Sequence, residues 1–210
     1  MTAWAMLGRQ LRHPTGWTGR VVGHLMRRIN AGPNRLAIDA LRLAPGDTVL
    51  ELGFGPGHGI ALAAARVAPA VVHGIDQSAV MMAHARRRNR RDIAAGRVHL
   101  HLGRFTALPL ATASVDKVLA VNVAYFWSEP GAVLGEVRRV LRPHGVMAVY
   151  VTDADAMRRW PFAEAETHRL FDANGLRALM IAGGFAADGI AIRAVPLPGG
   201  MTGLVGLARR

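Results

Sequence analysis

The sequence predicts an α/β fold in which a mostly parallel sheet is covered by helices on both faces. From Asn34 onward, short apolar runs alternate with helical patterns, as in parallel strands joined by crossover helices. One apolar run, at 48–52, leads into a glycine-rich turn, and parallel sheets bind nucleotide-like ligands at such strand ends. A length of 210 residues, of which 51% are hydrophobic, fits one domain with a buried core.

The apolar runs predict seven strands. The run at 116–123 is apolar along most of its length, which is typical of a strand that is buried on both faces. The last two runs flank a segment at 196–200 that is rich in Pro and Gly, the residues that favour turns. The predicted strands span residues 48–52, 70–75, 97–102, 116–123, 146–151, 190–194 and 202–208.

Helical patterns separate the strands, and several of them have clear ends. Ser78 is a favourable N-cap for a helix that runs to about Arg88. Pro143 and Gly145 end a helix that begins at Ala132. The predicted helices span residues 35–43, 59–67, 79–88, 132–141, 162–173 and 176–182.

Residues 1–34 differ in composition from the main domain, which we place at 35–210. The segment is rich in Trp and Arg and is interrupted by Pro and Gly. An amphipathic helix is predicted at 19–30, with Arg20, Arg27 and Arg28 largely off its apolar face. The pattern leaves three roles open: a helix packed on the domain, a lid over a cofactor pocket, or a helix lying on a membrane surface.

The charge of the chain is strongly basic. The formal net charge is +12, and Lys117 is the only lysine among 26 basic residues. The excess of arginine over lysine is partly typical of genomic codon bias, and a solvated basic surface would need no partner. An anionic partner, such as phospholipid headgroups, nucleic acid or an acidic substrate, would also match this charge.

The composition excludes several kinds of site. The chain has no cysteine, which rules out disulfides, thiolate metal sites and cysteine nucleophiles. The histidines show no spacing typical of zinc ligands, so no metal is expected. A G-x-S-x-G motif is absent, and so is an apolar run long enough to span a membrane. We expect a cytoplasmic protein, with peripheral contact to the inner face of the membrane if residues 1–34 bind lipid.

The glycine turn after the first strand carries the strongest chemical signal. Gly53, Gly55 and Gly57 can adopt positive φ or let the backbone approach a ligand closely. His58 stands where a dinucleotide-binding turn has its third glycine, which disfavours a nicotinamide oxidoreductase. Asp76 ends the second strand, where a carboxylate is placed to accept hydrogen bonds from ribose hydroxyls. The pattern predicts an adenosine-bearing cofactor that is not a dinucleotide.

Five stretches, in a consistent order and spacing, resemble one family. The first is Val-Leu-Glu-Leu-Gly-Phe-Gly-Pro-Gly at 49–57, and the others lie at 74–81, 103–116, 136–145 and 183–185. Together they cover about residues 34–208 and are similar to class I S-adenosylmethionine-dependent methyltransferases of the ubiquinone-biosynthesis-like, type 11 branch. The resemblance implies a single Rossmann-like domain with a seven-stranded sheet, a final antiparallel strand and S-adenosylmethionine as the cofactor.

The resemblance also implies a role for each matching position. The three glycines of the turn would line the methionine and ribose part of the cofactor, and Glu51 would orient its amino acid end. Asp76 would bind the ribose, Gln77 would flank the adenine, and Asn122 would face the sulfonium, with Val123 beside it. The implied cofactor-binding residues are Glu51, Gly53, Gly55, Gly57, Asp76, Gln77, Arg104, Phe105, Asn122 and Val123.

Two positions depart from the family pattern. Arg104 stands where many relatives have an acidic residue near the adenine amino group, and arginine has no acceptor for that hydrogen bond. The backbone around Arg104 and Phe105 remains available to the adenine. His144 stands where a glycine is usual, so we expect a differently shaped turn there.

The sequence assigns no catalytic residue. S-adenosylmethionine carries an activated methyl group, so alignment of the acceptor is the main requirement, and a base is needed only if the acceptor loses a proton. Candidate bases are His58 and Tyr125, and His168 lies in the C-terminal region. The aromatic stretch 125–127 either contacts the acceptor or seats the N-terminal helix.

We therefore expect methyl transfer to a small-molecule or lipid acceptor by direct displacement. The basic N-terminal segment favours an amphiphilic or anionic lipid, for example one with a phosphatidylethanolamine headgroup. One alternative is a nucleic acid or protein methyltransferase that uses the arginine surface; the absence of a basic platform with interleaved aromatic residues makes nucleic acid less favoured. The other is a non-catalytic module that binds S-adenosylmethionine.

Overall fold

The computed structural model describes residues 30–160 and 168–210. The predicted helix at 19–30 lies outside this range except for Asn30, and so does nearly all of the segment 1–34. The first six residues of the helix predicted at 162–173 also fall outside it.

One sheet of seven strands organises the described chain, in the spatial order β3-β2-β1-β4-β5-β7-β6. The first five strands pair in parallel, and β7 pairs antiparallel with both β5 and β6. This topology confirms the predicted α/β fold and its single antiparallel strand. The strands are β1 (Val49–Leu52), β2 (Val72–Asp76), β3 (Val98–Leu102), β4 (Val115–Val121), β5 (Leu141–Thr152), β6 (Ile190–Leu197) and β7 (Met201–Arg209).

Helices cover both faces of the sheet. On one face, Ile38 of α1 and Ile60 of α2 are fully buried beside the strands, and α3 adds Met82. On the other face, α5 and α7 bury Leu134 and Leu176 against the inward side chains of the central strands. The helices are α1 (Ala31–Leu41), α2 (His58–Val67), α3 (Ala79–Arg88), α4 (Arg90–Ala94), α5 (Pro130–Val140), α6 (Ala154–Met157) and α7 (Ala173–Ala182).

Several elements differ from the prediction. Helix α1 begins at Ala31 and not at 35, because Pro33 falls in its first turn, where a missing backbone N–H costs nothing. Helix α4, which directly follows α3, was not predicted. The helix predicted through 162–173 is wrong over 168–172, where the backbone is irregular. Asp172 caps the next helix instead, since its side chain accepts a hydrogen bond from the Gly175 N–H at 2.6 Å.

The turn around His144 is built into β5. The strand begins at Leu141, where a helix end was predicted, and its pairing with β4 shifts register before resuming at Val146. His144 has φ of 67°, a conformation that glycine adopts most easily. His144 therefore adopts a left-handed conformation at a turn position that is commonly occupied by glycine.

Candidate active site

A cavity of about 240 Å³ lies at the carboxyl ends of the central strands. It is placed where the strand order reverses between β1 and β4, the position at which open α/β sheets bind ligands. The residues predicted to bind a cofactor meet here, with one exception. Those that line the cavity are Glu51, Gly53, Gly55, Asp76, Gln77, Arg104, Phe105, Asn122 and Val123.

The glycine turn forms one wall of the cavity. Gly53 and Gly55 have φ of 67° and 51°, and a Cβ at Gly53 would lie only 2.5 Å from Cγ2 of Val123. Side chains other than hydrogen are therefore excluded at Gly53 both by conformation and by contact. The turn connects β1 to α2, and its backbone at Gly53 packs directly against the Val123 side chain.

Gly57 is the exception, since it does not line the cavity. It has φ of 77° and packs against α3, where an added Cβ would lie 2.6 Å from Asn89 Nδ2. The Asn89 side chain, 1% exposed, donates a hydrogen bond of 3.1 Å to the Gly57 carbonyl. Gly57 thus fixes the end of the turn against α3.

Asp76 ties the end of β2 to the glycine turn. Its Oδ2 accepts a hydrogen bond from the Gly55 N–H at 2.9 Å, and its Oδ1 accepts one from the Ser78 N–H at 2.8 Å. A carboxylate has several lone pairs, so it can also accept a hydrogen bond from a ligand hydroxyl. The side chain is both part of the cavity wall and a clamp on the turn.

Glu51 is a buried carboxyl group at the base of the cavity, with 2% of its surface exposed. Burial raises its pKa from 4.5 to about 8, the charge of Asp76 raises it as well, and a hydrogen bond from the Ile60 backbone lowers it. Its Oε2 has no hydrogen-bond partner in the described structure. A cation beside this group would favour the carboxylate form, which burial disfavours.

Gly59, which the sequence did not single out as a site residue, makes room for Glu51. A Cβ at this first-turn position of α2 would overlap both carboxylate oxygens of Glu51. The helix backbone can therefore approach the carboxyl group, and the Ile60 N–H reaches it. The signal was present as the last glycine of the turn, two positions beyond Gly57.

Residues after β2 and β3 form the far end of the cavity. Gln77 and Met81 lie on one side, and Arg104, Phe105 and Thr106 on the other. Phe105 is 7% exposed and belongs to the core, so its position is fixed by packing. This end combines apolar surface with backbone groups, and the Arg104 side chain offers no hydrogen-bond acceptor there.

Asn122 directly follows β4 in a left-handed conformation with φ of 52°, which is uncommon for residues other than glycine. Its Nδ2 donates to Asn30 Oδ1 at 2.8 Å, and its Oδ1 accepts a hydrogen bond from the Tyr125 hydroxyl at 3.1 Å. The amide is therefore held at both ends. Val123, next to it, packs against the glycine turn.

Tyr125 and His58, the two candidate bases, differ in position. Tyr125 is buried away from the cavity lining, where its hydroxyl accepts the Thr152 N–H and donates to Asn122. Burial raises the pKa of its phenol, which disfavours the phenolate that a base requires. His58 lines the cavity as the first residue of α2.

Asn30 and Asn34 line the cavity and were missed from the sequence. The Asn34 side chain is 5% exposed, and its Nδ2 donates to the Asn30 carbonyl at 2.8 Å. The spacing of four residues, which places both on one face of a helix start, is the signal that could have identified them.

Across residues 30–160 and 168–210, no group of three or more His, Cys, Asp or Glu side chains is arranged to hold a metal ion. None of the helices in that part of the chain is long and apolar enough to cross a membrane.

Comparison with known proteins identifies the family. Residues 50–149 match the model of the methyltransferase domain. An uncharacterized methyltransferase, YdaC, of Bacillus subtilis is 31% identical over 136 residues, which cover 65% of this chain and 73% of YdaC. Seven further curated relatives are matched over 29% to 54% of their own length.

Solved structures share the fold. A putative methyltransferase of Haloferax volcanii, solved with the Trm112 methyltransferase activator, superposes with a TM-score of 0.78 at 18% identity, covering 89% of this chain and 92% of that one. Phosphoethanolamine N-methyltransferase 2 of Haemonchus contortus superposes with a TM-score of 0.77 at 13% identity, covering 100% of this chain and 60% of that one. The sequence match and the conserved architecture agree: this chain belongs to the class I S-adenosylmethionine-dependent methyltransferases, the family to which the methyltransferase domain belongs.

Proposed function

We propose that this chain transfers the methyl group of S-adenosylmethionine, bound in the cavity between β1 and β4, to a small-molecule or lipid acceptor. One observation carries the proposal: Glu51, Asp76 and Asn122, from three different strand ends, meet the glycine turn in a single cavity. Their chemistry fits the cofactor, which presents an ammonium group, ribose hydroxyls and a sulfonium.

The cofactor's polar groups have a counterpart at each end of the glycine turn. Glu51 offers a carboxylate to the ammonium group of the methionine part, and this cation would offset the cost of burying the charged form. Asp76 offers its remaining lone pairs to the ribose. Gln77, Phe105 and the backbone near Arg104 would enclose the adenine.

Methyl transfer from S-adenosylmethionine needs little acid–base catalysis by the protein. When bound, S-adenosylmethionine supplies an electrophilic methyl group. Asn122, held by Asn30 and Tyr125, forms a fixed polar edge beside the position that we assign to the sulfonium. The rate enhancement then comes from alignment of the acceptor and exclusion of water. His58 is one of several cavity-lining residues that could accept a proton from the acceptor.

The side chains that line the acceptor side of the cavity favour the binding of an acceptor with an apolar part. Phe126, Trp127 and Val133 line it, and Phe126 is supported by the ring of His168 at 4.8 Å between centroids. The structural neighbour from Haemonchus contortus, which shares the fold, binds phosphomonomethylethanolamine, and this supports an amine as one class of acceptor. The basic composition of segment 1–34 supports contact with anionic lipid, and we propose that this contact brings the enzyme to a membrane surface.

Binding of S-adenosylmethionine tests the proposed function directly. Equilibrium binding followed by incubation with radiolabelled cofactor and candidate acceptors would show saturable binding and label transfer. An absence of binding at near-millimolar cofactor would overturn the proposal. Transfer of label to RNA or protein, and to no lipid or small molecule, would support methyltransferase activity but refute the proposed class of acceptor.

The role of the N-terminal segment has a separate test. The full chain should bind vesicles that contain anionic lipid, and removal of residues 1–30 should lower that binding. Unchanged partitioning after the deletion would refute membrane contact by this segment.

A further inference from the structure

The end of α3 and the start of α4 form a compact basic surface, which we call the arginine face. It consists of Arg86, Arg87, Arg90 and Arg91, all of which are exposed. None of the four takes part in the five ion pairs found among the described residues. The face therefore presents several guanidinium groups to solvent within six consecutive positions.

Neighbouring acidic residues do not neutralise the arginine face. Between Asp76 and Asp116 the chain has seven arginines and one acidic residue, Asp92. Asp92 already pairs with Arg97, with its Oδ1 2.6 Å from Nη2. The local charge is consequently strongly positive and open to an external anion.

Helix electrostatics account for part of the face. Arg86 and Arg87 lie in the last turn of α3, where a positive charge is favourable. Arg91 lies in the last turn of the five-residue helix α4, and Arg90 is its first residue. The helix dipoles therefore do not explain why Arg90 is basic.

Asn89 connects the arginine face to the glycine turn. It lies between Arg88 and Arg90, and its side chain reaches the Gly57 carbonyl at 3.1 Å. The face therefore flanks the end of the turn that carries Gly55 and Gly53 into the cavity.

We propose that the arginine face docks this domain on anionic phospholipid headgroups. Guanidinium groups bind phosphate oxygens through paired hydrogen bonds, and basic residues held at an anionic bilayer each add to its affinity. Between Asp76 and Phe105 there is no Phe, Tyr or Trp on which nucleic acid bases could stack. This inference rests on the proposed function, since it places a lipid-directed methyltransferase where its acceptor would be.

The test compares two variants of the full chain with equal charge. The first replaces Arg86, Arg87, Arg90 and Arg91 by Gln. The control replaces four exposed arginines outside the face, none of which forms an ion pair among the described residues, by Gln: Arg35, Arg159, Arg193 and Arg209. Binding is measured by co-sedimentation with phosphatidylcholine vesicles, with and without phosphatidylglycerol.

The wild-type chain should bind only the vesicles that contain phosphatidylglycerol. The variant of the arginine face should lose at least about a hundredfold in affinity, while the control keeps most of it. Equal losses in both variants would show that net charge alone matters and would overturn the proposal. No loss in the first variant, or equal binding of wild type to neutral vesicles, would overturn it as well.

Two further measurements separate the possible failures. Retention on RNA that depends on the same four arginines and exceeds vesicle binding would make nucleic acid the partner and refute the lipid proposal. Affinity for S-adenosylmethionine in the absence of vesicles should be the same in all three proteins. If none of them binds the cofactor, the proposed function fails, whereas the vesicle result still decides the docking surface.

Discussion

The two halves of the cavity are built in different ways. On the cofactor half, backbone N–H groups donate to the Glu51 and Asp76 carboxyl groups, as from Gly55 to Asp76, which lie 21 residues apart. On the acceptor half, Asn122 is held by Asn30, which is 92 residues away, and by Tyr125, whose hydroxyl is anchored by Thr152. The cofactor half is formed by residues from neighbouring stretches of sequence. The acceptor half depends on a contact between residues 92 positions apart, which only the fold brings together.

This difference implies that the two halves fail separately. Substitutions on the cofactor half should change the affinity for S-adenosylmethionine. Substitutions on the acceptor half that keep Asn122, such as Tyr125→Phe, should change the methyl-transfer rate and leave that affinity nearly unchanged. A substitution on the cofactor half that changes only the rate, or one such as Tyr125→Phe that changes the cofactor affinity, would contradict the assignment of the two halves.

The largest expected effect is at Glu51. Because its folded pKa of about 8 lies above the ordinary 4.5, its contribution to stability is complete below pH 4.5 and is lost as the pH rises through about 8. Glu51→Gln should remove this slope and stabilise the ligand-free protein near pH 8 by on the order of a few kcal/mol. Its affinity for S-adenosylmethionine should fall.

Denaturant unfolding of both proteins across this pH range measures the effect, and calorimetry measures the affinity. A variant that is less stable than wild type at pH 8 would refute the buried, neutral carboxyl group. Unchanged cofactor affinity would remove Glu51 from the binding site.

Asp76→Ala should weaken cofactor binding by roughly 1–3 kcal/mol, because a charged hydrogen bond to the ribose and the clamp on Gly55 are both lost. Isothermal titration calorimetry measures this loss. Asp188→Ala, at an exposed position in the turn before β6, is the matched control and should bind as wild type does. Equal affinity in the two variants would place Asp76 outside the site.

Gly59→Ala should destabilise the fold by about 1–3 kcal/mol, because the new methyl group would overlap the Glu51 carboxylate. Gly135→Ala in α5 is the control, since a Cβ there has no neighbour within 4 Å. That substitution should stabilise the protein slightly through helix propensity. Thermal unfolding compares the two, and a Gly59 variant as stable as the control would contradict the close contact between α2 and Glu51.

Tyr125→Phe is expected to have the smallest effect on stability, about 1 kcal/mol, because the Thr152 N–H loses its acceptor. The affinity for S-adenosylmethionine should stay the same, while kcat falls because Asn122 is held less firmly. If Tyr125 were instead the catalytic base, kcat would fall by orders of magnitude and its pH profile would lose a limb. Steady-state kinetics over a range of pH distinguishes these outcomes.

The sequence predicts the cofactor half well because its signals are local. Glycines forced into positive φ, and an acidic residue at the end of β2, both leave a pattern that one stretch of sequence displays. The acceptor half leaves no such pattern, since the partnership of Asn30 with Asn122 appears only once α1 is placed against β4. Gly57 was predicted to touch the cofactor, but its packing against Asn89 depends on the position of α3.

The fold shows the same limit. The seven strands and the antiparallel β7 agree with the prediction, because apolar runs indicated the strands and the family resemblance implied the antiparallel one. The irregular stretch 168–172 was predicted to be helical from its composition. Tertiary contacts prevail there, as Phe171 is buried in the core and His168 packs against Phe126.

The central claim is that the cavity between β1 and β4 binds S-adenosylmethionine through Glu51 and Asp76. Calorimetric titration of the wild-type chain beside Asp76→Ala tests it most directly. We predict saturable binding to the wild type and an affinity lower by roughly tenfold to a hundredfold in the variant. An absence of binding to the wild type at near-millimolar cofactor, or identical affinity in both proteins, would contradict the claim.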